Sequence, residues 1–249
     1  MNFTTYLIES SKSGVVKETT IDEAITLIKK HCSQSIKSPI YRGIKNGALA
    51  LIGDSTVSER RSKNTDNYYT IILDNIFQNT KYPLRSRSFI CTTNIRKTYN
   101  YGSTYMVFPY DNTYIGVCPD NDIWDISIFH EDDHYSLSNL NHMYSNMDLS
   151  DDNYSAFIKS CVENFHENKK VREFFTGSQY WDDVDEDDAD ELHDMIASII
   201  ELMYDPDHLG FELADNKSIG SYKANEVWFS GKCIMIHEAQ YNTIKDQLK

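Results

Sequence analysis

The first regular pattern of apolar and polar positions lies in residues 20–32, "TIDEAITLIKKHC". Its apolar residues recur three and four positions apart, which is the spacing of one face of an α-helix. Thr20 followed by Glu23 has the form of a capping box, and two lysines fall in the last turn, where the helix dipole favours positive charge. The pattern predicts an amphipathic helix that begins after Thr20.

Short runs of β-branched and aromatic residues follow, and such runs predict strands. They are "IYRGI" (40–44), "ALALIG" (48–53), "RSFICTT" (87–93), "YMVFPY" (105–110) and "YIGVC" (114–118). Near the C-terminus, "EVWFSGKCIMI" (226–236) is typical of a hairpin whose two buried strands are joined by a Ser-Gly turn. The run "YYTIILDNIF" (68–77) fits a helix and a strand equally.

From about residue 130 the apolar spacing becomes helical. The clearest helix is predicted at residues 185–206, where acidic residues crowd the first turns and Pro206 ends the pattern. No repeat or low-complexity linker separates this region from the strands on either side. The order of elements predicts an α+β fold in a single domain, residues 1–249, with a helical, acidic insertion at about 130–215.

The composition is that of a globular protein, with 249 residues of which 40% are hydrophobic and 12% aromatic. No apolar stretch is long enough to span a bilayer, and the N-terminus lacks the basic and apolar regions of a secretory signal. We therefore expect a soluble, cytoplasmic protein with no membrane partner. The five cysteines include no CxxC pair, which favours reduced thiols over disulfides or a structural zinc site.

The net charge of −14 is unevenly distributed along the chain. Residues 1–100 hold 15 Lys/Arg and 8 Asp/Glu, which leaves 9 and 30 for the remainder. The acidic excess argues against general nucleic-acid binding, whereas the basic first part suits a small polyanionic ligand. The acidic run 182–191 is interpreted as a solvated helix start, with a surface that docks a partner as the alternative.

One sequence has the form of a metal site. His130, Glu131 and His134 match the zincin pattern His-Glu-x-x-His, which places two histidines on one helical face. The polar residues around it predict no buried helix, and no third ligand is indicated. We therefore predict no metal centre.

Three short sequences, taken in chain order, resemble the signatures of one family. They are "IYRGI", "SFICTTN" (88–94) and "NEVWFSGKC" (225–233). Together they resemble the Arg-Ser-Glu class of mono-ADP-ribosyltransferases, which includes cholera-toxin-like and clostridial-toxin-like enzymes. In that family the first strand carries Arg-Gly, the second carries Ser-Thr-Ser after an aromatic residue, and the third carries a glutamate before apolar residues and a turn glycine.

The resemblance implies a split, mixed β-sheet and NAD as the cofactor. It implies that Arg42 binds the pyrophosphate, because an arginine on a rigid strand holds two phosphate charges with paired hydrogen bonds. The backbone of Gly43 is then expected to bind the nicotinamide amide, and Tyr101 to pack against the ring. Core packing is an equally good interpretation of Tyr101, since the chain has 17 tyrosines.

The second motif departs from the family pattern. The Ser-Thr-Ser positions are Cys91, Thr92 and Thr93, so a thiol replaces the first hydroxyl unless the register shifts and Ser88 takes that role. The resemblance assigns all four residues to the cofactor-binding set, and it assigns Thr93 and Arg42 also to the catalytic set. Ordinary strand residues without a ligand are an equally good interpretation of this stretch.

The third motif supplies the catalytic carboxylate that the resemblance implies, Glu226. Cleavage of the nicotinamide–ribose bond develops positive charge on the ribose, and the leaving group departs neutral, so one stabilising carboxylate suffices. We expect Arg42, the strand at Cys91–Thr93 and Glu226 to converge in one cleft.

The residue two positions before the glutamate is Ala224, where arginine-modifying members of the family have a second carboxylate. On one strand face, alanine can neither activate nor orient a guanidinium, so the acceptor is predicted not to be arginine but a nucleic-acid group, a small molecule, another protein group or water. Two alternatives are a catalytically inactive member of the same fold, serving as a binding or virion component, and an interaction protein that uses its acidic surface. The Asn-, Lys-, Tyr- and Ile-rich composition, with the resemblance, suggests a phage or bacterial source, and hence the host cytoplasm for a phage protein.

Overall fold

A computed structural model describes residues 15–57, 80–123 and 210–248, together with residues 59, 70, 73–74 and 77–78. In these residues the protein is α+β, with a large antiparallel sheet and few helices. The chain divides into two compact units. The first unit consists of residues 1–61, 81–123 and 211–249 and contains all three motifs. The second unit lies almost entirely outside the described residues, so the single-domain expectation stays a prediction.

The first unit has nine described strands and two α-helices. The strands are β1 Val15–Glu18, β2 Ile40–Ile44, β3 Ala50–Asp54, β4 Phe89–Thr92, β5 Ser103–Pro109, β6 Tyr114–Val117, β7 Glu212–Asp215, β8 Glu226–Phe229 and β9 Lys232–His237. The helices are α1 Ile21–His31 and α2 Glu238–Ile244, and short 3-10 helices span Arg85–Arg87, Ile95–Tyr101 and Ile219–Ser221.

The strands form one sheet in the order β1-β3-β9-β5-β2-β4-β8-β6-β7, and every neighbouring pair is antiparallel. Strands β2 and β4 share a single residue pair, Tyr41 with Thr92, whereas the other neighbours share three or more. The sheet is therefore split at this point. We call β1-β3-β9-β5-β2 the first half-sheet and β4-β8-β6-β7 the second half-sheet.

The two half-sheets face each other. Strands β8 and β9 are consecutive in the chain but four places apart in the sheet, about 19 Å if the sheet were flat. The link from Phe229 to Lys232 reaches at most about 11 Å, so the sheet must fold over at the split. Direct contact agrees, because a Cβ on Gly53 of β3 would lie 2.8 Å from the Phe89 ring of β4.

Two apolar cores result from this arrangement. The inner core lies between the half-sheets and includes Phe89, Cys91, Val227, Phe229 and Cys233. The outer core packs α1 and α2 on the other face of the first half-sheet. The inner core fixes the second half-sheet, and with it the strand that begins at Glu226.

The local predictions are largely confirmed. Helix α1 begins after Thr20, whose side chain accepts a hydrogen bond from the Glu23 amide at 3.2 Å. Strands lie in each of the five predicted runs between residues 40 and 118. None of the helices in the described residues is long and apolar enough to cross a bilayer.

Three fold predictions are wrong. The two C-terminal strands are not a hairpin, because β8 pairs with β4 and β6 while β9 pairs with β3 and β5. The sheet is antiparallel in all described pairs, not mixed. Strand β7 occupies residues 212–215, at the end of the predicted helical insertion.

Other predictions lie outside the described residues. They are the insertion from 130 to 209, the zincin-like sequence, the acidic run 182–191 and most of residues 68–77.

Candidate active site at the split in the sheet

The three motifs lie on adjacent strands, β2, β4 and β8. Thr92 pairs with Tyr41 on one side and with Glu226 on the other. Directly opposed residues in antiparallel strands project to the same face, and neighbours along a strand alternate. Glu226, Thr92 and Gly43 therefore belong to one face, the outer face, whereas Arg42 and Cys91 belong to the inner face.

Arg42 lies on the inner face with the core residues. Its Nη1 donates a hydrogen bond to the Ile90 carbonyl, and its guanidinium lies 5.7 Å from the centroid of the Phe89 ring. The prediction that Arg42 and Glu226 face one cleft is wrong, because the pleat directs their side chains to opposite faces. Arg42 instead connects β2 to β4 where the two strands separate.

Cys91 and Ser88 are also directed away from Glu226. Cys91 pairs with Val227 inside the core, and burial raises the pKa of its thiol to about 12 despite the opposing effect of Arg42. Ser88 is buried and donates its hydroxyl hydrogen to the Leu84 carbonyl at 2.6 Å, before β4 begins. Neither side chain shares a face with Glu226, and the ligand roles of both residues stay predictions.

Glu226 is a buried carboxylate with a buried cation beside it. Its residue is 9% exposed, and its Oε1 lies 2.8 Å from Nη2 of Arg85. Oε1 accepts no aligned hydrogen bond, so the contact with Arg85 is an ion pair without hydrogen-bond geometry. Sequence analysis did not single out Arg85, because one arginine within "LRSRS" looks like any other member of a basic surface cluster.

Hydrogen bonds from Asn225 and from the Glu226 amide, called here the Asn225 clamp, hold the start of β8. Asn225 donates its amide hydrogen to Thr93 Oγ1 at 2.9 Å and its side-chain hydrogens to the Cys118 and Pro119 carbonyls at 2.8 and 3.1 Å. The Glu226 amide donates to the Asp120 carbonyl at 2.8 Å. Thr93 therefore contacts the residue that precedes Glu226, and its predicted catalytic role stays a prediction.

Thr92 reaches the outer face directly opposite Glu226 and is 8% exposed. Its hydroxyl oxygen accepts a hydrogen bond from the Asn94 amide at 3.0 Å. Of the three residues at the Ser-Thr-Ser positions, Thr92 is therefore the one whose side chain shares a face with the carboxylate.

Gly43 lies beneath the 3-10 helix that ends at Tyr101. A Cβ at this position would overlap the Thr98 carbonyl oxygen and lie 2.7 Å from the Tyr101 Cβ. Tyr101 is 53% exposed, and its phenol pKa is raised, first by partial burial and then by the carboxylates of Asp122 and Glu226. Tyr101 is therefore near enough to Asp122 and Glu226 to feel both charges. Asp122 was not predicted, since nothing in its local sequence separates it from other loop aspartates.

Ala224 does not share a strand face with Glu226. Strand β8 begins at Glu226, and Ala224 lies exposed in the preceding bend. The premise that residues 224 and 226 alternate along one strand is wrong, because the Asn225 clamp redirects the chain immediately before the carboxylate.

Replacing Gly43 with alanine is expected to lower the free energy of unfolding by about 1–3 kcal/mol, the usual cost of overpacking. The new methyl carbon would lie 2.4 Å from the Thr98 carbonyl oxygen and 2.7 Å from the Tyr101 Cβ, so it must displace both groups. Chemical denaturation measures the effect. Gly47→Ala is the matched control, because no atom lies within 4 Å of a Cβ there. Equal stability of the two variants would contradict the close packing of Gly43.

Comparison of the chain with protein-family models, with curated proteins and with solved structures gives no match. Within the ranges described above, no three His, Cys, Asp or Glu side chains are grouped to hold a metal ion. The chemistry of the site must therefore be argued from its own residues.

Proposed function

We propose that this protein cleaves the nicotinamide–ribose bond of NAD and transfers ADP-ribose to an acceptor or to water, with Glu226 as the catalytic carboxylate. The observation that carries the proposal is the position of Glu226. It is a buried carboxylate at a split in the sheet, on the same face as Gly43 and near Tyr101. The resemblance to ADP-ribosyltransferases supplies the reaction.

The chemistry suits these residues. As the glycosidic bond lengthens, positive charge develops on the ribose and the nicotinamide leaves as a neutral ring. A fixed carboxylate stabilises that charge without any proton transfer. Tyr101 offers an exposed ring for the planar nicotinamide. Gly43 lets the 3-10 helix that carries Tyr101 pack closely on β2.

The role of Arg42 changes in this proposal. Its guanidinium contacts the Ile90 carbonyl and the Phe89 ring, so we assign it to the junction of the half-sheets and not to the pyrophosphate. The proposal therefore rests on Glu226, Gly43, Thr92 and Tyr101.

The placement of Arg42 and Cys91 favours a second candidate function. In this chain Arg42 joins two strands and Cys91 packs in the inner core. That use of two motif residues fits a non-catalytic member of the same fold that binds a ligand or a partner. Incubation with NAD labelled in the adenylate and a cell lysate separates the two candidates. The enzyme transfers label to an acceptor or produces labelled ADP-ribose, whereas a binding protein leaves NAD intact.

Agmatine, a free guanidine, is expected to be a poor acceptor. A guanidinium is protonated at neutral pH and nucleophilic only with help, and the buried carboxylate of the site, Glu226, is already paired with Arg85. Chromatography of a reaction with NAD and agmatine should show nicotinamide with little ADP-ribosyl-agmatine. Rapid formation of that product would contradict the prediction, and its loss in Asp122→Asn would then identify the carboxylate that orients the acceptor.

A further inference from the structure

Arg85 is unusual among the charged residues of the described chain because it is almost fully buried. It begins the 3-10 helix that precedes β4, and its residue is 1% exposed. Arginine is rarely buried unless its charge is compensated, because removing a guanidinium from water has a large free-energy cost. Glu226 is a partner that compensates this charge.

The ion pair is held from a second side by an aromatic ring. The Arg85 guanidinium lies 5.1 Å from the centroid of the Trp228 ring, within the range of a cation–π interaction. Trp228 is itself fixed, since its Nε1 donates to the Pro83 carbonyl at 2.7 Å and its ring lies against Gly116. Arg85 is therefore held by groups that have little freedom to move.

The exposures of the two side chains differ. The Arg85 side chain is 2% exposed to solvent, whereas the Glu226 side chain is 12% exposed. A substrate that reaches the carboxylate does not reach the guanidinium. Any effect of Arg85 on the reaction must therefore pass through Glu226.

We propose that Arg85 is the positioning residue of the site, holding the Glu226 carboxylate fixed at the split. This inference rests on the proposed function, because it assigns Arg85 a part in NAD cleavage. A fixed anion is what a developing cation requires, since a preorganised charge need not reorient during the reaction.

The first test compares Arg85→Met and Arg85→Lys by nicotinamide release and by calorimetric titration with NAD. Methionine keeps most of the volume and removes the charge, so kcat should fall about 100-fold while the Kd for NAD changes less than about threefold. Lysine keeps the charge, so the kcat of Arg85→Lys should be at least about tenfold higher than that of Arg85→Met. A wild-type kcat in Arg85→Met, or equal losses in kcat and NAD affinity without rescue by lysine, would overturn the inference.

The second test does not depend on NAD cleavage. Wild type, Arg85→Met, Glu226→Gln and the double variant are unfolded in urea. Arg85→Met leaves the Glu226 carboxylate buried without this cation and the double variant does not, so the double variant should have a higher midpoint than Arg85→Met. Strictly additive effects would overturn the pairing. Arg87→Met is the control, because its ion pair with Glu59 is 53% and 67% exposed and should have little effect.

The two tests distinguish a failure of the proposed function from a failure of the role assigned to Arg85. A wild-type protein that releases no nicotinamide would refute the proposed function and the inference that rests on it, whatever the unfolding experiment shows. The unfolding midpoints of the four proteins would then still decide whether Arg85 and Glu226 are coupled in the fold. If wild type is active and Arg85→Met is equally active, the proposed function stands and only the role of Arg85 is refuted.

Discussion

Replacing Glu226 with glutamine is expected to reduce the rate of NAD cleavage at least 100-fold, roughly the loss that follows removal of one preorganised electrostatic group. Glutamine keeps the shape of the side chain and removes only the charge that stabilises the ribose cation. The Kd for NAD, measured by calorimetry, should remain within about threefold of wild type. A fall in kcat with unchanged affinity identifies an interaction that acts in the transition state.

Stability must be measured beside activity, because Glu226→Gln removes an anion that lies beside the buried Arg85 guanidinium. Breaking one side of a buried pair costs up to about 3–5 kcal/mol, so assays belong well below the unfolding midpoint of the variant. Glu18→Gln is the matched control, since Glu18 is exposed on β1 at the far edge of the sheet. Near wild-type turnover by a folded Glu226→Gln variant would show that another group is the catalytic carboxylate.

Replacing Arg42 with methionine is expected to lower the free energy of unfolding by about 2–3 kcal/mol and to leave the KM for NAD within about threefold of wild type. The hydrogen bond from Arg42 to the Ile90 carbonyl involves a charged donor, and such bonds contribute about 1.5–3 kcal/mol. It also joins β2 to β4 where the backbone offers a single residue pair. Urea unfolding and steady-state kinetics measure the two effects.

Arg96→Met controls for the removal of a positive charge, because Arg96 is exposed on the 3-10 helix that ends at Tyr101. An Arg42→Met variant with wild-type stability and a KM raised tenfold or more would contradict the core assignment. That result would return Arg42 to the pyrophosphate role that the family resemblance implies.

Local elements of this fold can be predicted from the sequence because local patterns determine them. The capping box at Thr20 and the apolar spacing behind it specify α1, and clustered β-branched and aromatic residues specify β4 and β5. The glutamate before an apolar run correctly marked the start of a buried strand, since a carboxylate there is costly unless it has a partner.

The pairing of the strands was not predictable in the same way. The Ser-Gly turn after Phe229 is compatible with a hairpin, but the flanking strands pair in different half-sheets, and residues of both strands meet in the inner core. The face reached by Arg42 follows from that pairing, because register decides which face each side chain reaches. A motif read along the chain contains no information about register.

The residues that complete the site come from separate parts of the chain. Arg85 and Asp122 lie in a 3-10 helix and a bend, and only the tertiary structure brings them near Glu226 or Tyr101. Their residue types are common on any surface. Burial and distance distinguish them, and neither is written in a short sequence pattern.

The central claim is that this protein breaks the nicotinamide–ribose bond of NAD with Glu226 as the catalytic carboxylate. The most direct measurement is a time course of nicotinamide release, followed by chromatography, for purified wild-type protein beside Glu226→Gln. The account predicts linear release by wild type in proportion to enzyme concentration, and release by the variant at least 100-fold slower. Equal rates from the two proteins, or no release above the uncatalysed background from wild type with NAD and a lysate acceptor present, would contradict it.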